Sequence, residues 1–137
     1  WDFYDRKRQA TGCLPIGVVL TIAATGSEMS NSSVITKEEG WVKRGYSSDY
    51  GRPRFAIMNP ELTMTLPDYQ TACGCTDILM HTMERYFTNG GNMEITDSIS
   101  EALMQTVIYN ARILMKEPDN YSARAEIMWQ EAFPTTV

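Results

Sequence analysis

Apolar and polar positions change their period along the 137 residues, and the changes divide the chain into a strand-rich first half and a helical second half. Ile16 to Ile22 is apolar and largely β-branched, which predicts a strand buried on both faces. Ala23 to Ser30 is small and rich in hydroxyls, so it predicts the loop at the carboxyl end of that strand, where open α/β sheets gather their ligands. Ser33 to Thr36 and Trp41 to Tyr46 alternate around Lys37-Glu38-Glu39-Gly40, the pattern of a β-hairpin. Arg54 to Met58 reads as a further strand, stopped by Asn59-Pro60. Ahead of all these, Trp1 to Leu14 shows no clean period and reads as an irregular or short helical segment.

Beyond Leu66 the period becomes helical. Pro67 suits the first residue of a helix, because the N–H it lacks has no partner there in any case. The helix is expected over Asp68 to Thr88, closed by Asn89-Gly90-Gly91. A second helix is expected from Thr96 or Asp97, with Ser98 and Glu101 as a capping box and Ile99, Leu103, Val107 and Leu114 as its apolar stripe, ending before Pro118. A third, capped by Ser122, is expected through Ile127 and Trp129 to Phe133, broken by Pro134. Strands and hairpins over residues 1–65 followed by long helices over residues 66–137 predict two different layers, or parts of two domains, more than one self-contained α/β sandwich, with too few strands for a whole doubly wound sheet.

Composition narrows the function classes. A net charge of -5 with one short basic cluster, Arg6-Lys7-Arg8, argues against a nucleic-acid surface, which needs clustered cations. No apolar run approaches the roughly 20 residues of a membrane span, and no secretory signal pattern opens the chain. Three cysteines, two of them separated by one residue, make no disulfide framework, so a reducing cytoplasm is expected. Trp1 is not expected to be the natural start.

Asp77 and His81, the sole histidine, stand four residues apart in the first expected helix, so a carboxylate oxygen and an imidazole nitrogen can converge on one cation. The bland alternative is a surface hydrogen bond. Both are sound ligands for Zn²⁺ or Fe²⁺, but a catalytic zinc usually takes three protein ligands; Glu84, one turn on, is the only nearby third candidate and reads more readily as a solvated helix charge. Cys73 and Cys75 point about 200° apart on a helix and read as buried and inert. Gly74 between them costs about 1 kcal/mol in mid-helix, tolerable if another backbone must pass close by. In the loop, Ala24-Thr25-Gly26-Ser27-Glu28 is small enough to approach a pyrophosphate or ribose, though it is no Walker loop and no G-x-G-x-x-G occurs. Lys43 is a candidate cation for a ribose or phosphate. The methionines, among them Met80, Met83, Met104, Met115 and Met128, and Trp129 read as core.

Three segments in fixed order carry a resemblance: Pro15 to Met29, containing Thr21-Ile22-Ala23-Ala24-Thr25-Gly26-Ser27-Glu28; Asn59 to Pro67; and Gly74 to Glu84, containing Asp77-Ile78-Leu79-Met80-His81. Together the chain resembles the iron-containing (group III) alcohol dehydrogenases, within them the butanol dehydrogenase and NAD(P)H-dependent aldehyde reductase branch, from about Trp1 to Phe133. The resemblance implies a dinucleotide-binding α/β domain joined to a helical metal domain of the dehydroquinate-synthase-like kind, with this chain straddling the junction. It implies that Asp77 and His81 are metal ligands, and that Thr21, Thr25, Ser30, Lys43 and Leu62 line an NAD or NADP site. No side chain is assigned as a general acid or base. The implied partners are a small aldehyde or alcohol and a second copy of the chain in a homodimer. Family members carry two further histidines downstream and a Gly-Gly-Gly-Ser loop upstream, absent here, so the resemblance is to a central fragment expected to show little turnover by itself. The rival readings are a non-catalytic remnant or interaction module with weak metal binding, and a related metal-dependent lyase, which Thr25-Gly26-Ser27-Glu28 with Asp77 and His81 fits less well.

Overall fold

A computed structural model describes residues 1–88 and 90–132. Element order is β1 (Gly17–Val19), β2 (Ser32–Lys37), β3 (Val42–Ser47), β4 (Phe55–Ile57), a 3₁₀ turn at Pro60–Thr63, then α1 (Asp68–Tyr86), α2 (Glu94–Leu114) and α3 (Tyr121–Gln130). The architecture is thus a short strand region followed by helices, an α/β portion and then an all-α one. It forms two compact units: Trp1–Val18 with Ser27–Ala56, and Val19–Gly26 with Ile57–Val137.

The first unit is built on the hairpin. β2 and β3 form the hairpin that the alternation predicts, paired antiparallel with Ser33 opposite Tyr46 and Thr36 opposite Lys43. Gly40, with φ of 81°, supplies the left-handed residue of the turn, and Trp41 follows at φ 51°. Trp1 to Leu14 forms no regular element but lies along the hairpin: the Tyr4 hydroxyl meets Ser33 Oγ at 2.6 Å, Ala10 N–H donates to the Tyr46 hydroxyl at 2.8 Å, and Asp5 pairs with Arg44.

The strand expected over Ile16–Ile22 shrinks to Gly17–Val19, with Gly17 and Val19 exposed. A strand is buried on both faces only when layers cover both. Here the ladder has two strands, β1 and β4, and burial resumes at Leu20 and Ala23. Within the first unit Arg54 N–H donates to Ile16 O at 2.8 Å, and the Phe55 ring lies over Gly17, where any Cβ would meet it.

In the second unit α1 packs on α2 and α2 on α3. The seam follows a heptad-like spacing: Thr71, Cys75, Ile78 and Thr82 are buried on α1, and Ser100, Val107, Asn110 and Leu114 on α2. The stripe expected from Ile99 is therefore one residue out of phase at its start: Ser100 is buried and Ile99 is 38% exposed. The polar members of the seam are satisfied locally, Thr82 Oγ1 by Ile78 O at 2.8 Å and Asn110 Nδ2 by Thr106 O at 2.9 Å.

Helix ends depart from expectation by a few residues. Pro67 is the residue before α1 rather than its first, and α1 ends at Tyr86. α2 begins at Glu94 with no side-chain cap, so Ser98 and Glu101 lie inside the helix rather than forming a capping box. α3 is capped by Asn120, whose Oδ1 accepts Ala123 N–H at 3.0 Å, and not by Ser122. Its buried face is Ala123, Arg124, Ile127, Met128 and Gln130; Trp129, two residues from Ile127, falls on the opposite side and is exposed. Of the five methionines expected in the core, Met128 is fully buried, whereas Met80 and Met115 are exposed and Met83 and Met104 half-buried. The stops expected at Asn89, Phe133 and Pro134 lie outside the described residues.

Candidate functional site

Helix α1 and the first part of the loop after β1, Leu20 to Gly26, carry the candidate site, and both belong to the second unit. Positions 74, 77, 78 and 81 follow one another at i, i+3, i+4 and i+7, so they share one face of α1. At the first of them the loop backbone touches the helix: a Cβ on Gly74 would sit 2.3 Å from Ala23 O. The absent side chain is what lets the loop approach, as mid-helix glycine suggested. Ile22 and Ala23 continue into a small cleft lined also by Thr63, Leu66, Arg124 and Ile127, which anchors the strand end among the helices.

One turn further, His81 Nε2 lies 3.7 Å from Asp77 Oδ1, with both side chains about two-fifths exposed. The imidazole's other nitrogen, Nδ1, lies 3.5 Å from Glu84 Oε2. Bonds of about 2.1 Å meeting at a tetrahedral angle put two ligand atoms about 3.4 Å apart, so the Asp77 and His81 pair fits one divalent cation with little movement. No cluster of three or more His, Cys, Asp or Glu side chains that could hold a metal occurs among the described residues. Two such ligands would make half of a tetrahedral shell.

The loop is held at its far end by a residue that sequence reasoning missed. Gly26, at φ 68°, donates its N–H to Glu131 Oε1 at 2.7 Å, a buried charge-assisted bond spanning 105 positions. No local signal marks such a partner. That amide is consequently engaged, and the loop hydroxyls of Thr21, Thr25 and Ser27 are on exposed residues. Leu62, 41% exposed on the 3₁₀ turn, belongs to the same unit. Ser30 and Lys43 belong to the other unit: Ser30 Oγ accepts Ser32 N–H at 3.0 Å, and Lys43 is exposed on β3. Glu28 is buried, 5% exposed, and desolvation pushes its carboxyl above the ordinary range.

The thiols divide differently from expectation. Cys75 is buried at the α1 and α2 seam, and desolvation pushes its thiol up to about 11, partly offset by Arg124. Cys73 is exposed, as is Cys13, since a residue two positions from a buried one faces away. With excess maleimide under native conditions, Cys13 and Cys73 are expected to react and Cys75 to react after denaturation; peptide mass spectrometry reads the three separately.

The sequence profile of the family "Iron-containing alcohol dehydrogenase" matches residues 1–60, and that of the "Fe-containing alcohol dehydrogenase family, C-terminal" matches residues 71–135. The chain belongs to the iron-containing alcohol dehydrogenase family. Among relatives of this family, NADH-dependent butanol dehydrogenase A of Clostridium acetobutylicum is 41% identical over 129 residues, covering 94% of this chain and 33% of that protein. The NADPH-dependent aldehyde reductase YqhD of Escherichia coli is 37% identical over 122 residues, covering 89% of this chain and 32% of that one. The crystal structure of NADH-dependent butanol dehydrogenase A from Thermotoga maritima superposes with a TM-score of 0.93 at 39% identity, over 98% of this chain and 33% of that one. The chain spans about a third of the length of the relatives it matches.

Proposed function

We propose that this chain supplies part of the metal and cofactor site of an NAD(P)-linked alcohol dehydrogenase, which interconverts small aldehydes and primary alcohols. The observation that carries the reading is the single helical face on which Gly74 receives the hydroxyl-bearing loop and, one turn on, Asp77 meets His81. A divalent cation, Fe²⁺ or Zn²⁺, supplies Lewis acidity toward a carbonyl oxygen, and a nicotinamide supplies the hydride. Asp77 Oδ1 and His81 Nε2 would hold the cation. Within the helical unit Thr21 and Thr25 would contact the dinucleotide, with Leu62 packing near it; within the hairpin unit Ser30 and Lys43 are the proposed cofactor contacts. The loop's attachment through Gly26 and Glu131 sets where those hydroxyls lie relative to the helix, and such placement of reactants accounts for much of catalysis. Residues 1–65 would belong to the cofactor domain and 66–137 to the metal domain of a cytoplasmic homodimer. With two ligands among the described residues, the 137-residue chain alone is expected to turn over little.

Grafting tests this directly. Placed in the Clostridium acetobutylicum relative in exchange for the matching 129-residue stretch, the chain is expected to support metal-dependent oxidation of NADH or NADPH by butyraldehyde. A folded chimera that binds neither metal nor cofactor would favour the non-catalytic reading. Robust turnover by the 137 residues alone would overturn the expectation that the site is half a shell.

A further inference from the structure

The two nitrogens of the only imidazole face two different carboxylates. His81 Nε2 looks back one turn to Asp77 Oδ1 at 3.7 Å, and Nδ1 looks forward to Glu84 Oε2 at 3.5 Å. A neutral imidazole carries one N–H, and the nitrogen that lends its lone pair to a cation must be the bare one. If the cation lies between Asp77 and Nε2, the proton belongs on Nδ1, the nitrogen that Glu84 faces. The lone-pair directions of the two ring nitrogens diverge, so a carboxylate beside Nδ1 is badly placed to ligate a cation at Nε2. It is well placed to accept the Nδ1 proton in a hydrogen bond.

We infer that Glu84 is a positioning residue: its carboxylate holds the proton of His81 on Nδ1, fixing the ring's tautomer and plane so that Nε2 is presented toward Asp77. The inference rests on the reading of Asp77 and His81 as a metal pair and assigns Glu84 a place outside the coordination shell rather than in it. The neighbouring cation does not compete for the role, because Arg85 Nη1 donates to the His81 carbonyl oxygen at 3.2 Å. That bond ties the Arg85 side chain to the backbone of the same turn. Glu84 itself is mainly exposed, with a side chain 70% accessible, so removing it opens no cavity in the core.

Because the chain has one histidine, long-range ¹H–¹⁵N correlation spectra report its tautomer without assignment ambiguity. In the metal-free 137-residue chain carrying Asp77→Ala, which removes the carboxylate that would hold a proton on Nε2, and at a pH where the ring is neutral, Nδ1 is expected to carry the proton; the Glu84 variants are compared in that background for the tautomer and in the otherwise unchanged chain for zinc. Glu84→Ala is expected to shift the population toward the Nε2–H form, and Glu84→Gln, whose amide oxygen still accepts, to retain most of the Nδ1–H form. Titration with Zn²⁺ against a competing chelator should show about a tenfold loss of affinity in Glu84→Ala and a smaller loss in Glu84→Gln, in line with the effect of outer partners on metal-bound histidines. Circular dichroism of each variant checks that α1 is intact. A ring in the Nε2–H form in the Asp77→Ala chain with Glu84 intact, or a Glu84→Ala substitution that leaves tautomer and zinc affinity unchanged, overturns the inference. If the tautomer depends on Glu84 while zinc fails to bind even the wild type, the positioning role stands and the metal reading falls.

Discussion

Replacing Gly74 by alanine is expected to push the loop at Ala23 off α1 and to destabilise the helical unit by about 1–3 kcal/mol, the usual cost of forcing a methyl group into a filled space. A new Cβ would lie 2.3 Å from Ala23 O, and backbone on both sides leaves no flexible side chain to move aside. Helix propensity works the other way, favouring alanine by about 1 kcal/mol, so the sign of the result decides whether the close approach is real. We expect the clash to win and the thermal midpoint to fall by roughly 5–10 °C. Gly12→Ala, where nothing lies within 4 Å, serves as the control and should leave the midpoint nearly unchanged. The loop carries Thr21 and Thr25, so dinucleotide affinity should fall more in Gly74→Ala than zinc affinity, since Asp77 and His81 stay on an intact helix. A Gly74→Ala chain that melts with the wild type would mean that the loop does not rest on the helix.

Removing the Asp77 carboxylate is expected to lower zinc affinity by at least about a hundredfold, beyond the ten- to hundredfold loss on removing an outer partner. The 3.7 Å separation from His81 Nε2 leaves room for a cation between them, and the His81 ring alone then offers one ligand to water-bound zinc. Asp77→Asn should behave almost as badly as Asp77→Ala, because a neutral amide oxygen is a weak ligand and no longer offsets the charge of the ion. Asp68→Ala removes the same charge from the same helix without touching the pair, and so separates coordination from general electrostatic attraction. Elemental analysis after gel filtration, with chelator competition for the constants, reads all three. Equal metal content in Asp77→Ala and Asp68→Ala would return the pair to an ordinary surface contact.

Much of what these experiments probe was legible as sequence, wherever the physics is local. The hairpin follows from alternation and from Gly40, and its register needs no distant partner. Asp77 and His81 meet because four residues make about one turn of helix. Gly74 announced a close approach, though not what approaches. Where burial depends on what lies across an interface, sequence reading went astray. Ile16 to Ile22 has the composition of a doubly covered strand, yet its extent is set by the single strand it pairs with. Trp129 is the largest apolar residue of α3, yet the buried face of that helix carries Arg124 and Gln130, because the seam's geometry and not side-chain hydropathy decides which stripe turns inward.

By itself, then, the order of residues determined the helices and the hairpin, the family, and the convergence of a carboxylate with the imidazole, since each of these follows from spacing within a few positions or from motifs in series. Only the tertiary structure decided that Ala23 rests on Gly74, that Glu131 closes the loop at Gly26 from 105 positions away, and that Glu84 faces the opposite nitrogen from Asp77. The first two join segments whose separation along the chain carries no periodic signal. The third turns on a side-chain rotation that helical spacing leaves open.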